Sequence, residues 1–140
     1  MRKTVLDVGN CGPDHAALSA MLRQGFDAEI LQADQWSDAS AILRSHSVDL
    51  VLVNRKLDID YSDGIEIIRR MKSDPMFQAI PVMLITNYPE YQQAAVALGA
   101  EYGFGKLELR TPETKARLSK CLSPEESREV ENEAKKESCG

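Results

Sequence analysis

Cysteine is scarce in this chain: Cys11, Cys121 and Cys139 are the three it has among 140 residues, too few and too scattered for a disulfide framework. No CxxC pair is present, which removes the commonest zinc-binding spacing. A surplus of positive charge is missing too. Lys plus Arg number 17 against 22 Asp plus Glu, a formal net charge of −5, so the basic footprint of a nucleic-acid-binding protein is not there. No run approaches the roughly 20 apolar residues that cross a bilayer. The opening MRKTVLDVG enters a strand-like run at once, without the apolar core and cleavage site of a signal peptide. Nucleic acid and membrane are therefore not expected as partners, and a reduced, cytoplasmic setting is.

What is present is an ordinary globular composition, 43% hydrophobic, in a length that suits one domain. Short apolar runs alternate with helical patterns. Thr4 to Val8 reads as a strand, broken in polarity only by Asp7. Pro13 suits a first helical turn, Ala17, Leu18, Met21 and Leu22 follow at helical spacing, and Gly25 is the expected stop. Ala28 to Ala33 is a second strand. Ser37 to His46 is a short helix with Ser37 as its expected cap. Val48 to Val53 is apolar almost throughout, as burial on both faces requires. Asp63 to Lys72 is helical and is broken by Asp74 and Pro75. Ile80 to Ile85 is another apolar strand, Pro89 to Leu98 a helix ended by Gly99, and Glu101 to Gly105 a poorer strand suited to an edge. Thr111 caps a last helix, with Pro112 at its first position, running to about Leu122. Such alternation predicts an α/β fold: three layers, with five parallel strands in the flavodoxin-like, doubly wound order 2-1-3-4-5.

Residues 1–122 make that domain. Residues 123–140 form a charged tail, SPEESREVENEAKKESCG, which opens on the capping-box pair Ser123 and Glu126. Val130 is almost its only apolar side chain, so it reads as a solvated helix or as disordered, with a partner-binding helix or a link to a further domain as the alternatives.

In a doubly wound sheet all strands end toward one rim, and ligands bind there. That rim gathers Gly9 and Asn10, Asn54, Thr86 with Asn87, and Lys106. The phrases DGIEIIRRMKSDPMFQAIPVMLIT, HSVDLVLVN and ALGAEYGFGK make the resemblance specific. Over roughly residues 3 to 122 the chain resembles the response-regulator receiver (CheY-like) domains. That family binds magnesium with acids after the first strand and accepts phosphate on an aspartate ending the third. A Ser or Thr after the fourth strand and a Lys after the fifth hold the phosphoryl oxygens.

The resemblance places Gly9 and Asn10 where the family has its acid pair, and Asn54 where it has the phosphoacceptor. Thr86 matches the hydroxyl position and Lys106 the lysine. Leu107 replaces the proline that usually follows the lysine, so the cis peptide associated with it is not expected. Gly103 falls on the switch-aromatic position. Tyr102 and Phe104 flank it, and a one-residue change of register would bring either one there.

These substitutions change the chemistry. Acyl-phosphate formation needs a carboxylate nucleophile, and an Asn54 amide is neutral. Magnesium prefers one or two carboxylates among its oxygen ligands. One charge–charge term at about 4 Å and an effective dielectric of about 20 is worth about 4 kcal/mol, and three carboxylates are missing from the pattern. Bound metal is therefore not expected, Mg²⁺ binding should be weak or absent, no cofactor is implied, and the usual phosphorelay step should be lacking. Lys106, with Lys56 and Arg55 near it, would then be unbalanced and the rim attractive to an anion.

Other residues read more plainly. Asp7, mid-strand, needs a structural partner or a frayed strand. His15 and His46 have no acid or Ser arranged about them in the sequence and read as surface helix residues. Asp58, Asp60 and Asp63 could chelate a cation, but Asp63–Gly64 more simply begins a helix. Cys11 reads as an inert thiol in the rim loop, Cys139 as a mobile thiol, and Trp36 as core or semi-core.

The functional expectation is a pseudo-receiver, not an enzyme. It would signal by binding proteins in a two-component or phosphorelay-type context without being phosphorylated. Its partner face would be the family's fourth helix, fifth strand and fifth helix, exposing Tyr91, Tyr102 and Arg110, with a homodimer through the same face as one use. Two alternatives stay open: a small-molecule or anion sensor at the rim near Lys106, and an atypically phosphorylated response regulator. No DNA-binding or catalytic module follows Leu122, so a single-domain regulator or adaptor is expected.

Overall fold

Five parallel strands form one sheet in the order β2-β1-β3-β4-β5, with a helix after every strand. The structure is a computed structural model and describes residues 2–123. The tail expectation and Cys139 lie outside the described residues. The elements are β1 (Thr4–Val8), α1 (Gly12–Phe26), β2 (Glu29–Ala33), α2 (Trp36–Ser45), β3 (Leu50–Asn54), α3 (Gly64–Ser73), β4 (Val82–Ile85), α4 (Pro89–Ala97), β5 (Glu101–Phe104) and α5 (Pro112–Leu122). A single 3₁₀ turn, Lys106–Glu108, lies between β5 and α5 and has no counterpart in the sequence reading. Among the described residues no helix is long and apolar enough to cross a membrane.

The period of two in each strand sends alternate side chains to opposite layers. Leu6, Val8, Val51, Val53 and Leu84 meet α2, α3 and α4 through Leu43, Ile67, Ile68, Met71 and Ala95. Val5, Leu50, Leu52, Met83 and Ile85 meet α1 and α5 through Leu18, Leu22 and Leu118. Asp7 shares parity with Val5 and so enters the α1–α5 layer.

Two helix ends differ from expectation. Gly25 lies inside α1, which ends instead at Asp27, where φ is +50 and the backbone N–H reaches the Arg23 carbonyl. Asp tolerates the left-handed region through its short polar side chain, so a glycine was not required there. Ser37 does not cap α2: Gln35 holds the cap position without a side-chain bond, and Ser37 falls in the first turn. Thr111 and Asp63 do cap, accepting from Thr114 N and Ile65 N. Trp36 packs half-buried on the core, edge-on to Phe77 at 5.8 Å. All peptide bonds of the described residues are trans.

The β4–β5 pairing carries an irregularity. Met83 pairs with Glu101 and Ile85 with Phe104, so three steps on β5 face two on β4. The extra residue makes a bulge at Tyr102–Gly103.

Candidate functional site

The strand ends bring Asn54, Thr86 and Lys106 to one open cleft of about 250 Å³, whose walls also include Arg55, Lys56 and Tyr88. This is the grouping the topology implies. Gly9 and Asn10 do not line it, though the Gly9 carbonyl faces the Asn54 amide.

Asn54 ends β3 and acts as a hydrogen-bond donor. Its Nδ2 donates to the Lys56 carbonyl at 2.6 Å and lies 3.5 Å from the Gly9 carbonyl. Two carbonyl oxygens fix which end of the amide faces them. The side chain thus braces the two loops, and a carboxylate in its place would set oxygen against oxygen.

At Gly9, φ is +84, a conformation that side-chain-bearing residues rarely adopt, and a Cβ would collide with the Leu57 side chain. Leu57 is buried and occupies the space into which a residue at position 9 would project. The Gly9 carbonyl accepts from Asp58 N at 2.9 Å. A side chain at position 9 would therefore need both a strained backbone and the space that Leu57 holds.

Asn10 is buried and turned toward Asp7. Its Nδ2 donates to Asp7 Oδ1 at 2.5 Å, and His15 Nδ1 lies 2.7 Å from Asp7 Oδ2. Asp7 is fully buried, so both its oxygens need these partners. Burial pushes its carboxyl above the ordinary range, while the bonds to Asn10 and His15 and the charges of His15 and Lys106 act in the opposite direction. Asp7 thus has the structural partner expected of it. The reading of His15 is corrected: it is a half-buried strut of α1, not a surface residue. His46 is exposed and touches only its neighbour Ser45 at 2.9 Å. Ser19 Oγ sits 3.4 Å from His15 Nε2, completing a Ser–His–Asp string, but Ser19 is only 5% exposed and its hydroxyl is closed to substrate.

Lys106 is not unbalanced. Its Nζ donates to Asp14 Oδ2 at 2.6 Å, with both side chains about one-third exposed. The Lys106 bond holds the Asp14 carboxyl below the ordinary range, against a small effect of burial and with help from the Cys11 thiol, which donates at 3.3 Å. Asp14 is the site residue that sequence reasoning missed. It sits in the first turn of α1, 92 positions from Lys106, and only the packing of α1 beside the end of β5 joins them. Thr86 Oγ1 accepts from Tyr88 N at 3.2 Å, a local turn that starts α4.

The acids after Asn54 are structural. Asp60 accepts from Ser62 N and Oγ, which lowers its pKa, and Asp63 caps α3. Among the described residues no three metal-ligating side chains converge.

The three residues chosen for a partner face each have their own local contact. Tyr91 is half-buried, with the Arg55 guanidinium 4.1 Å above its ring. Tyr102 is exposed on β5, with Arg117 at 4.6 Å. Arg110 donates to Gln24 Oε1 at 3.1 Å and lies against α1. On α4, Gln92 is buried and ties three backbone groups together: Nε2 donates to the Leu84 carbonyl at 2.9 Å and lies 3.3 Å from that of Thr86, and Oε1 accepts from Gly103 N at 2.8 Å. A Cβ at Gly103 would collide with the Leu84 carbonyl, so this position holds main chain alone. The register did not move an aromatic into it: Phe104 is buried in the α1–α5 layer and Tyr102 points outward.

No family model matches the chain, and no curated protein matches it. Solved structures do. The chain is similar to the signal receiver domain of a DNA binding response regulator protein (merR) from Colwellia psychrerythraea 34H, at 26% identity and TM-score 0.74, over 87% of this chain and 99% of that one. It is similar to the chemotaxis response regulator CheY4 of Vibrio cholerae, at 20% identity and TM-score 0.64, over 87% and 97% of the two chains. A phosphorylated cyanobacterial phytochrome response regulator, RcpA, aligns at 21% identity and TM-score 0.68, over 88% and 96%. These likenesses, with the strand order 2-1-3-4-5, establish the receiver fold.

Proposed function

We propose that this chain is a non-enzymatic signalling module of the receiver fold. It works in a two-component or phosphorelay-type context by binding partner proteins, without accepting a phosphoryl group. The observation that carries the reading is Asn54: it stands at the end of β3 and donates to two carbonyl oxygens, where phosphoryl transfer would need an ionised acceptor. The neighbouring groups support it. Magnesium, which the fold family implies, would need anionic oxygens near Asn54. Asn10 and Asn54 are neutral, Leu57 fills the space beside Gly9, both Asp7 oxygens are taken up under α1, and Asp14 is held by Lys106. The residues present do not fit the ion. An anion sensor centred on Lys106 is the weaker alternative, because that lysine already has its counter-charge.

The test is incubation of the full chain with Mg²⁺ and acetyl phosphate or beryllofluoride, read by intact mass and amide NMR. The expected result is an unchanged mass and unchanged rim amides. A stoichiometric phospho-adduct would overturn the reading.

A further inference from the structure

The connection from β5 to α5 descends along α1, fastened by Lys106 to Asp14 and by Arg110 to Gln24. Below it, away from the rim, a pocket of about 230 Å³ opens between α1 and α5. Met21, Phe26 and Leu109 supply apolar walls continuous with the α1–α5 core. Gly25 leaves one side open, since a Cβ there would meet nothing within 4 Å. Arg110 and Lys115 stand at the mouth, both exposed. Neither is among the ion-paired cations of the described residues.

We infer that this pocket binds a short aliphatic carboxylate, with the chain on the apolar wall and the anion between Arg110 and Lys115. Three features select that class. A recess that pairs an apolar wall, here Met21, Phe26 and Leu109, with polar groups at its edge is the usual form of a small-molecule site. Two cations without acidic partners among the described residues raise the local concentration of an anion, and the guanidinium of Arg110, whose Nη1 donates to Gln24, keeps further N–H groups for a carboxylate. The recess, about 230 Å³ and open to solvent on one side, has room for a body of several methylenes. Gly25 lines the pocket without a side chain, so a leucine there would add bulk at its wall. The site lies away from Asn54, Thr86 and Lys106, and it gives a protein-binding module an input that does not pass through the strand ends.

The test is a titration of the full chain with hexanoate, followed by amide NMR, with 1-hexanol as the uncharged probe of equal length. The expected result is saturable shifts at Gly25, Phe26 and Lys115, with a Kd of about 1 mM or below, and hexanol at least tenfold weaker. Arg110→Gln and Lys115→Gln should each weaken hexanoate severalfold. Gly25→Leu should abolish binding while leaving both cations in place. Equal binding of hexanol, shifts confined to the strand-end cleft, or no saturable shift with either probe would each overturn the proposal. If Gly25→Leu folds poorly, the two cation variants decide it. The phosphorylation test reads the rim alone, so its outcome is separate from this one.

Discussion

Replacing Asn54 by Asp restores the residue type that the receiver fold usually carries at this strand end, and it should make this protein worse. In the native chain Nδ2 donates to the Lys56 carbonyl at 2.6 Å and lies near the Gly9 carbonyl. The Asn54→Asp change removes that donor and sets a carboxylate oxygen against the same carbonyls. Loss of one hydrogen bond, with its acceptor left facing a like charge distribution, costs about 1–3 kcal/mol. An offsetting gain would come from Lys106 leaving Asp14 for the new carboxylate. Both of the lysine's options are partly exposed ion pairs worth about 0.2–1 kcal/mol, so the exchange is close to neutral and does not reverse the sign. A net loss of about 1–2 kcal/mol lowers the melting temperature by about 3–10 °C for a domain of this size. The assay is urea and thermal denaturation of both proteins with and without 10 mM MgCl₂. Magnesium bound with a Kd one hundredfold below its concentration would add about 2.7 kcal/mol and erase the deficit. An Asn54→Asp protein as stable as the parent, or one that recovers its stability in magnesium, would refute the account of this site.

Three further predictions follow from the same geometry. A double-mutant cycle of Lys106→Ala and Asp14→Ala should give a coupling of about 0.2–1 kcal/mol at pH 7, since both side chains are about one-third exposed. Because the folded-state pKa of Asp14 is depressed, that coupling is fully present above 3.8 and is lost as the pH falls below it; zero coupling at pH 7 would mean that Lys106 has another partner. Asp7 has the opposite sign. Its folded-state pKa is raised, so the folded state holds the proton longer and stability falls as the pH climbs upward from 3.8. Asp7→Asn should flatten that slope in a pH series of urea melts, and an unchanged slope would dismiss the buried-charge argument. Gln92→Leu leaves Gly103 N and the Leu84 carbonyl without their side-chain partner, and should cost about 2 kcal/mol or more and speed hydrogen exchange at Gly103; an unperturbed Gly103 amide would count against it.

The fold was legible because its strands are short apolar runs separated by helical periods, and strand order then follows from handedness. Helix ends were less so. The sequence offered a glycine for the end of α1, yet the chain turned two residues later at Asp27, since more than one residue type can supply a left-handed turn. The site was legible where topology alone decides position, as at Asn54, Thr86 and Lys106. It was illegible where charge is balanced across layers. Nothing in the spacing links Asp14 to Lys106, and Asp7 and His15 meet only once α1 is laid over β1. The flank's local contacts were illegible for a related reason: Tyr91, Tyr102 and Arg110 follow one another along neighbouring elements, and nothing in the spacing pairs Arg55 with the first or Gln24 with the third.

The main chain of β4 fills the place that a pivoting ring would need beside Gly103, and Gln92 bolts that arrangement to α4. No side chain at this position can swing between an inward and an outward seat. Change at Thr86 has no lever there by which to reshape the ground around Tyr102. The cleft at the strand ends and the ground around Tyr102 are therefore not joined by a moving side chain at Gly103.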